Sequence, residues 1–227
     1  MSFPAYSVTS LLSIRIFRSL HLSKSKSSRR WLDRHFRDEF VKRAQREGYR
    51  ARAAYKLLEI QEKDHLLKRG MRVVDLGAAP GGWAQVVQKI VGDSGQVIGL
   101  DLLLIDPLPG VTFIQGDFRE SGPLEQLRAA LGGAAADLVL SDMAPNVSGM
   151  PAVDQPRSIY LCELAVEFCR ETLKPGGSLV VKVFQGAGFD AYLRELRAAF
   201  ERVASRKPKA SRPQSREVYL VAQGYKR

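Results

Sequence analysis

The sequence predicts an α/β domain with a mostly parallel seven-stranded sheet, one strand antiparallel, and helices on both faces. Three observations predict it. From Gly70 onward, short apolar runs of strand length alternate with amphipathic stretches of helix length. At 75–83 an apolar run passes through glycines into a helical pattern, as at the carboxyl end of a parallel strand. The last two apolar runs have no helical stretch between them, so they should pair as a hairpin, which reverses one strand.

The elements follow in order. A helical pattern at 33–47 places Phe36, Phe40, Val41 and Ala44 on one face, with Arg and Lys opposite. Gly48 separates it from a second at 52–62, whose apolar positions are Ala54, Tyr55, Leu57, Leu58 and Ile60. Strands are then expected at 72–75, 96–101, 111–116, 137–142, 178–184, 202–206 and 217–222. Helices are expected near 83–91, 123–131, 157–173 and 189–200, and Lys174-Pro-Gly-Gly177 reads as a helix stop before the fifth strand. Residues 1–30 contain no acidic residue and read as a disordered basic extension. A single domain, 31–227, follows and opens with basic helices.

Charge is unevenly distributed. The 227 residues carry a net charge of +11, yet residues 1–56 hold fourteen Lys/Arg against four Asp/Glu, and the remainder is nearly neutral. A basic arm beside a neutral domain points to a polyanionic partner, RNA or DNA, rather than to general solubility. No apolar run is long enough to span a bilayer, and Arg15 interrupts the stretch 11–17, so neither a membrane nor a secretory signal is expected. Cys162 and Cys169 lie two helical turns apart, roughly 10 Å, too far for a disulfide. They are expected as reduced, buried thiols of a cytoplasmic protein, and no Cys/His grouping suggests a metal.

The glycine turn separates cofactor classes. A dinucleotide fingerprint needs a second glycine to admit a pyrophosphate, but here the run is Gly77-Ala-Ala-Pro-Gly81. That disfavours NAD and FAD and suits S-adenosylmethionine. Asp101, ending the second strand, is expected to accept from ribose hydroxyls, and Asp117, ending the third, from an adenine amino group. After the fourth strand, Ser141-Asp-Met-Ala-Pro-Asn146 lacks the Asn/Asp-Pro-Pro-aromatic pattern of exocyclic base-amine methylation. It also lacks the cysteine that cytosine C5 chemistry needs. What remains is the carboxylate of Asp142 and, within the apolar strand Leu179-Val-Val-Lys-Val-Phe184, a lysine costly to bury without a function or a partner. Lys182 is the expected acceptor of a proton from a ribose 2′-hydroxyl.

Across about residues 30–225 these motifs resemble the FtsJ/RrmJ family, bacterial enzymes that methylate a uridine ribose in the A-loop of 23S rRNA. The resemblance implies a Rossmann-like S-adenosylmethionine-dependent methyltransferase fold. It implies a catalytic tetrad of Lys56, Asp142, Lys182 and Glu217, and cofactor contacts at Gly77, Pro80, Gly81, Gly82, Trp83, Asp101, Asp117 and Asp142. The implied partner is 23S rRNA within the 50S subunit, met by a monomer. Two basic stretches flank the tetrad and supply expected RNA contacts: Arg29, Arg30, Arg34, Arg50 and Arg52 before Lys56, and Arg206, Lys207 and Arg212 before Glu217. Residues 1–22 match no part of the family. The alternatives are the same chemistry on tRNA, or a non-catalytic RNA-binding factor in ribosome assembly.

Overall fold

The computed structural model describes residues 38–227, and its compact unit begins at Glu39. The expected domain start at 31, the basic extension 1–30 and Arg29, Arg30 and Arg34 lie outside the described residues. Two helices, α1 (Glu39–Glu47) and α2 (Ala54–Asp64), precede the alternating region. This runs β1 (Arg72–Leu76), α3 (Gly82–Val91), β2 (Gln96–Asp101), β3 (Val111–Gln115), α4 (Ser121–Leu131) and β4 (Ala136–Ser141). It closes with α5 (Pro151–Thr172), β5 (Leu173–Phe184), α6 (Phe189–Ala199), β6 (Phe200–Arg206) and β7 (Glu217–Tyr225). The strands form one sheet in the order β3-β2-β1-β4-β5-β7-β6, with β7 inserted between β5 and β6 and antiparallel to both. Among the described residues no helix is long and apolar enough to cross a membrane.

Strand alternation divides the core into two halves. Val74, Leu76, Val139, Val181 and Leu220 pack with α4, α5 and α6, whereas Val73, Leu138, Leu140, Val180, Tyr219 and Val221 pack with α2 and α3. A two-residue period therefore sends Lys182, two positions after Val180, to the α2/α3 face, and Glu217, two before Tyr219, likewise. The register sets Lys182 directly opposite Tyr219 across the β5–β7 pair. On α2, Leu57 and Ile60 are at most 1% exposed, and burial of each contributes about 1.5–3 kcal/mol. That anchorage carries Lys56 over the same face.

Two boundaries differ most from the sequence reading. α5 starts six residues early, at Pro151, and continues through Pro156. The start is organised by Asp154, whose carboxylate accepts from Ser148 N and Oγ, each at 2.8 Å, and from Gly149 N at 3.0 Å. The helix stop at Lys174 is instead the start of β5, because Leu173 already pairs with Ala136 of β4. Cys162 and Cys169 are free and buried in α5, and burial pushes the Cys162 thiol up to about 12.

The end of α2 is fixed by a buried ion pair. Asp64 has a fully buried side chain, and Arg206 of β6 donates to both its oxygens at 2.6 and 2.8 Å. Arg206 is thus a structural partner of Asp64, which differs from the expected RNA contact. Removing one member of a buried pair strands the other charge and costs about 3–5 kcal/mol. Arg206→Ala should therefore lower unfolding stability by that amount in urea titration, and a loss under 1 kcal/mol (, the exposed-pair range) would show that water takes the arginine's place.

Candidate active site at the carboxyl edge of the sheet

A cavity of about 540 Å³ opens where β1, β2, β3 and β4 end. Gly77, Asp101, Asp117 and Asp142 line it, one from each strand end, as the sequence predicts. Gly77 sits at φ 77°, and a Cβ there would lie 2.9 Å from Met143 N, a backbone atom that cannot swing away. Asp101 joins two walls: its oxygens accept from Ala79 N and Leu103 N, each at 2.9 Å, leaving further lone pairs on both. Arg119 grips Asp117, with Nε at 2.9 Å from one oxygen and Nη2 at 2.5 Å from the other. The side-chain bond from Arg119 holds the Asp117 carboxyl below its ordinary range.

Pro80, Gly81, Gly82 and Trp83 build the turn behind the cavity rather than its lining. Gly81, at φ 99°, caps α3, and the Trp83 indole donates to Ala53 O at 2.7 Å. Beneath them Asp75 is fully buried, with the backbone amide of Ala84 as its hydrogen-bonding neighbour. Burial first, then the nearby Asp142 and Asp101, push its carboxyl up to about 8, so it is largely a neutral acid at neutral pH. Sequence reading missed Leu102 and Leu103, which line the cavity although more than half exposed. The available signal was a triple-leucine run directly after a strand end.

Beside the cavity the four expected catalytic residues form one connected row. Lys56 Nζ lies 2.9 Å from Glu217 Oε1 and donates to the Tyr219 hydroxyl at 2.8 Å. That hydroxyl donates to Asp142 Oδ1 at 2.7 Å. Lys182 Nζ reaches the same oxygen at 2.9 Å and also donates to the Asp142 carbonyl. Tyr219 thus joins the two ion pairs, a role the sequence reading did not assign. Burial pushes Asp142 up, but Lys182, then Lys56, outweigh it and hold the carboxyl below its ordinary range. Glu217 is likewise raised by burial and lowered further by Lys56. Burial and the two carboxylates hold the Tyr219 phenol well above its usual value, so it remains a donor.

The expected RNA contacts divide. Lys207 Nζ donates to Glu217 O at 2.8 Å and to Ser215 O, fixing the start of β7. Arg50 donates to the carbonyls of Pro80, Asp106 and Pro107. Arg52 donates to Ala210 O and lies in the fields of Arg212 and Glu217. Arg212 is exposed on the surface. The charges of Arg52 and Arg212 act on one another, and Arg52 also feels Glu217.

The FtsJ-like methyltransferase family model matches residues 49–225, a span that holds the whole row and cavity. A ribosomal RNA large subunit methyltransferase E of Chromohalobacter salexigens is 60% identical over 208 residues, covering 92% of this chain and 98% of that protein. The protein of the same name from Pseudomonas aeruginosa is 55% identical over 205 residues, covering 90% and 99%. A crystal structure from Plasmodium falciparum, described as a ribosomal RNA methyltransferase, superposes with a TM-score of 0.69 at 32% identity, covering 78% of this chain and 98% of that one. The chain belongs to the FtsJ-like methyltransferase family.

Proposed function

We propose that the protein transfers a methyl group from S-adenosylmethionine to the 2′-hydroxyl of a uridine ribose in 23S rRNA, in the A-loop of the assembled 50S subunit. The observation that carries this reading is the row Glu217–Lys56–Tyr219–Asp142–Lys182 directly beside the cavity, with Asp142 belonging to both. The similar proteins named as ribosomal RNA large subunit methyltransferases support rRNA as the substrate class.

The cavity suits this donor. Gly77 allows a close approach that any side chain would block, and Asp101, Asp117 and Asp142 line the space with hydrogen-bond acceptors. In this reading Asp101 accepts from the ribose hydroxyls and Asp117 from the adenine amino group. When bound, S-adenosylmethionine supplies an electrophilic methyl on a sulfonium. Asp142 holds Lys182 through two acceptors, its carbonyl and one carboxylate oxygen, leaving the remaining position of Nζ for the target hydroxyl. In this reading the nitrogen lone pair of Lys182 accepts the hydroxyl proton as the ribose oxygen bonds to the methyl and the methyl's bond to sulfur breaks. Lys56, fixed by Glu217 and Tyr219, orients the ribose, and this alignment lowers the barrier further. Arg52 and Arg212, two cations held close together beside Glu217, take an RNA phosphate between them.

Two measurements test the assignment. Lys182→Ala should lower single-turnover methyl transfer to 50S subunits by roughly 10²–10⁴-fold while titration calorimetry finds donor affinity within a few-fold of the wild type. Retained turnover would remove Lys182 as the proton acceptor. Asp101→Ala should raise the donor dissociation constant roughly ten- to hundredfold, since hydrogen bonds to a charged group are lost. An unchanged constant would reject Asp101 as the ribose acceptor.

A further inference from the structure

Arg50 lies in the connector 48–53 between the two N-terminal helices, where its basic neighbours suggest an RNA contact. Its guanidinium faces inward. Nη1 donates to Asp106 O at 2.6 Å and Pro80 O at 3.3 Å, and Nη2 donates to Pro107 O at 2.7 Å. These carbonyls belong to two segments that lead into the cavity lining without being part of it. Pro80 precedes Gly81, the cap of α3, whereas Asp106 and Pro107 close the segment that begins with the lining residues Leu102 and Leu103. A Cβ on Gly81 would lie 2.8 Å from Arg50 Nη1, so the guanidinium occupies the space a side chain at 81 would need.

The backbone of the connector is fastened to the same turn. Arg50 N donates to Gln85 Oε1 at 2.7 Å, Gln85 Nε2 donates to Gly48 O at 3.1 Å, and the Trp83 indole holds Ala53 O. Lys56 follows within a turn of helix. One side chain thus ties the glycine turn, the leucine wall and the start of the lysine-bearing helix together. A flat guanidinium with a fork of fixed donors can join the two segments; a lysine ammonium on its flexible stem cannot reproduce that fork.

We infer that Arg50 is a positioning residue for methyl transfer: it ties the glycine turn to the segment 102–107 at the border of the donor cavity and helps to seat Lys56, and it does not bind RNA. This rests on the reading of the cavity as the S-adenosylmethionine site. The discriminating variants are Arg50→Lys, which keeps the charge and loses the fork, and Arg50→Ala, which loses both. The readouts are the S-adenosylmethionine dissociation constant by calorimetry, the KM for each substrate, and the salt dependence of 23S rRNA binding. Circular dichroism melting checks that each variant is folded at the assay temperature.

Both variants should raise the donor dissociation constant and donor KM at least about tenfold, and lower kcat on 50S subunits because Lys56 is no longer held in place. The salt slope of RNA binding should match the wild type in both. Wild-type donor affinity in Arg50→Lys would overturn the inference. So would an Arg50→Ala slope shallower by about 0.9, the loss of one phosphate contact. A variant too unstable to assay as Ala leaves Arg50→Lys to decide, since it retains the stem and charge. Absence of S-adenosylmethionine binding by the wild type would instead reject the reading of the cavity, and the inference with it; wild-type binding with no change in the variants rejects the role of Arg50 alone.

Discussion

The Asp142 carboxylate is the interaction on which the rest of the site depends. One of its oxygens accepts from both Lys182 and the Tyr219 hydroxyl, and through Tyr219 it is linked to Lys56 and Glu217. Two lysine side chains can lie in this largely buried row only because two carboxylates face them and a neutral phenol spaces them. The same aspartate also lines the cavity, so the proposed acceptor of the proton and the proposed donor of the methyl share a wall. Breaking that anchor would unseat Lys182 and open the row at its middle.

The fold delivers this arrangement by simple geometry. Strand alternation sends Lys182, Tyr219 and Glu217 to one face, and the β5–β7 register sets the lysine against the tyrosine. The reversed β7 is necessary, because its start must meet the end of β5 at the carboxyl edge. α2 crosses that face with Leu57 and Ile60 buried, and its far end is held by Asp64 and Arg206. The near end is held through the connector by Gln85, Trp83 and the proposed clamp at Arg50. Lys56 is therefore placed from both ends of its helix.

Much of this was legible in the sequence because the chemistry sits in short motifs at strand ends. A lysine within Leu-Val-Val-Lys-Val-Phe demands a partner, and a carboxylate after the neighbouring strand is the available one. Tyr219 was harder to read, since a tyrosine in an apolar strand resembles core; only its two-residue spacing from Glu217 hints at the row. The partners of Arg50, Arg206 and Lys207 were not legible for a different reason. A basic stretch carries no information about whether each cation faces solvent, a buried carboxylate such as Asp64, or backbone carbonyls. The partners of Arg50 and Arg206 are distant in sequence, 142 residues for the Arg206 pair, so charge clustering alone assigns these cations to RNA. The early start of α5 was hidden by Pro156, which reads as a boundary although the helix continues through it.

The most direct test of the central claim is the position of the transferred methyl. Wild-type protein is incubated with methyl-labelled S-adenosylmethionine and 50S subunits, and the rRNA is hydrolysed with alkali. A ribose 2′-O-methyl group removes the hydroxyl that cleaves the adjacent phosphodiester, so the account predicts label in alkali-resistant dinucleotides. Label in mononucleotides would mean methylation on a base and would contradict the assignment of the row to a ribose hydroxyl.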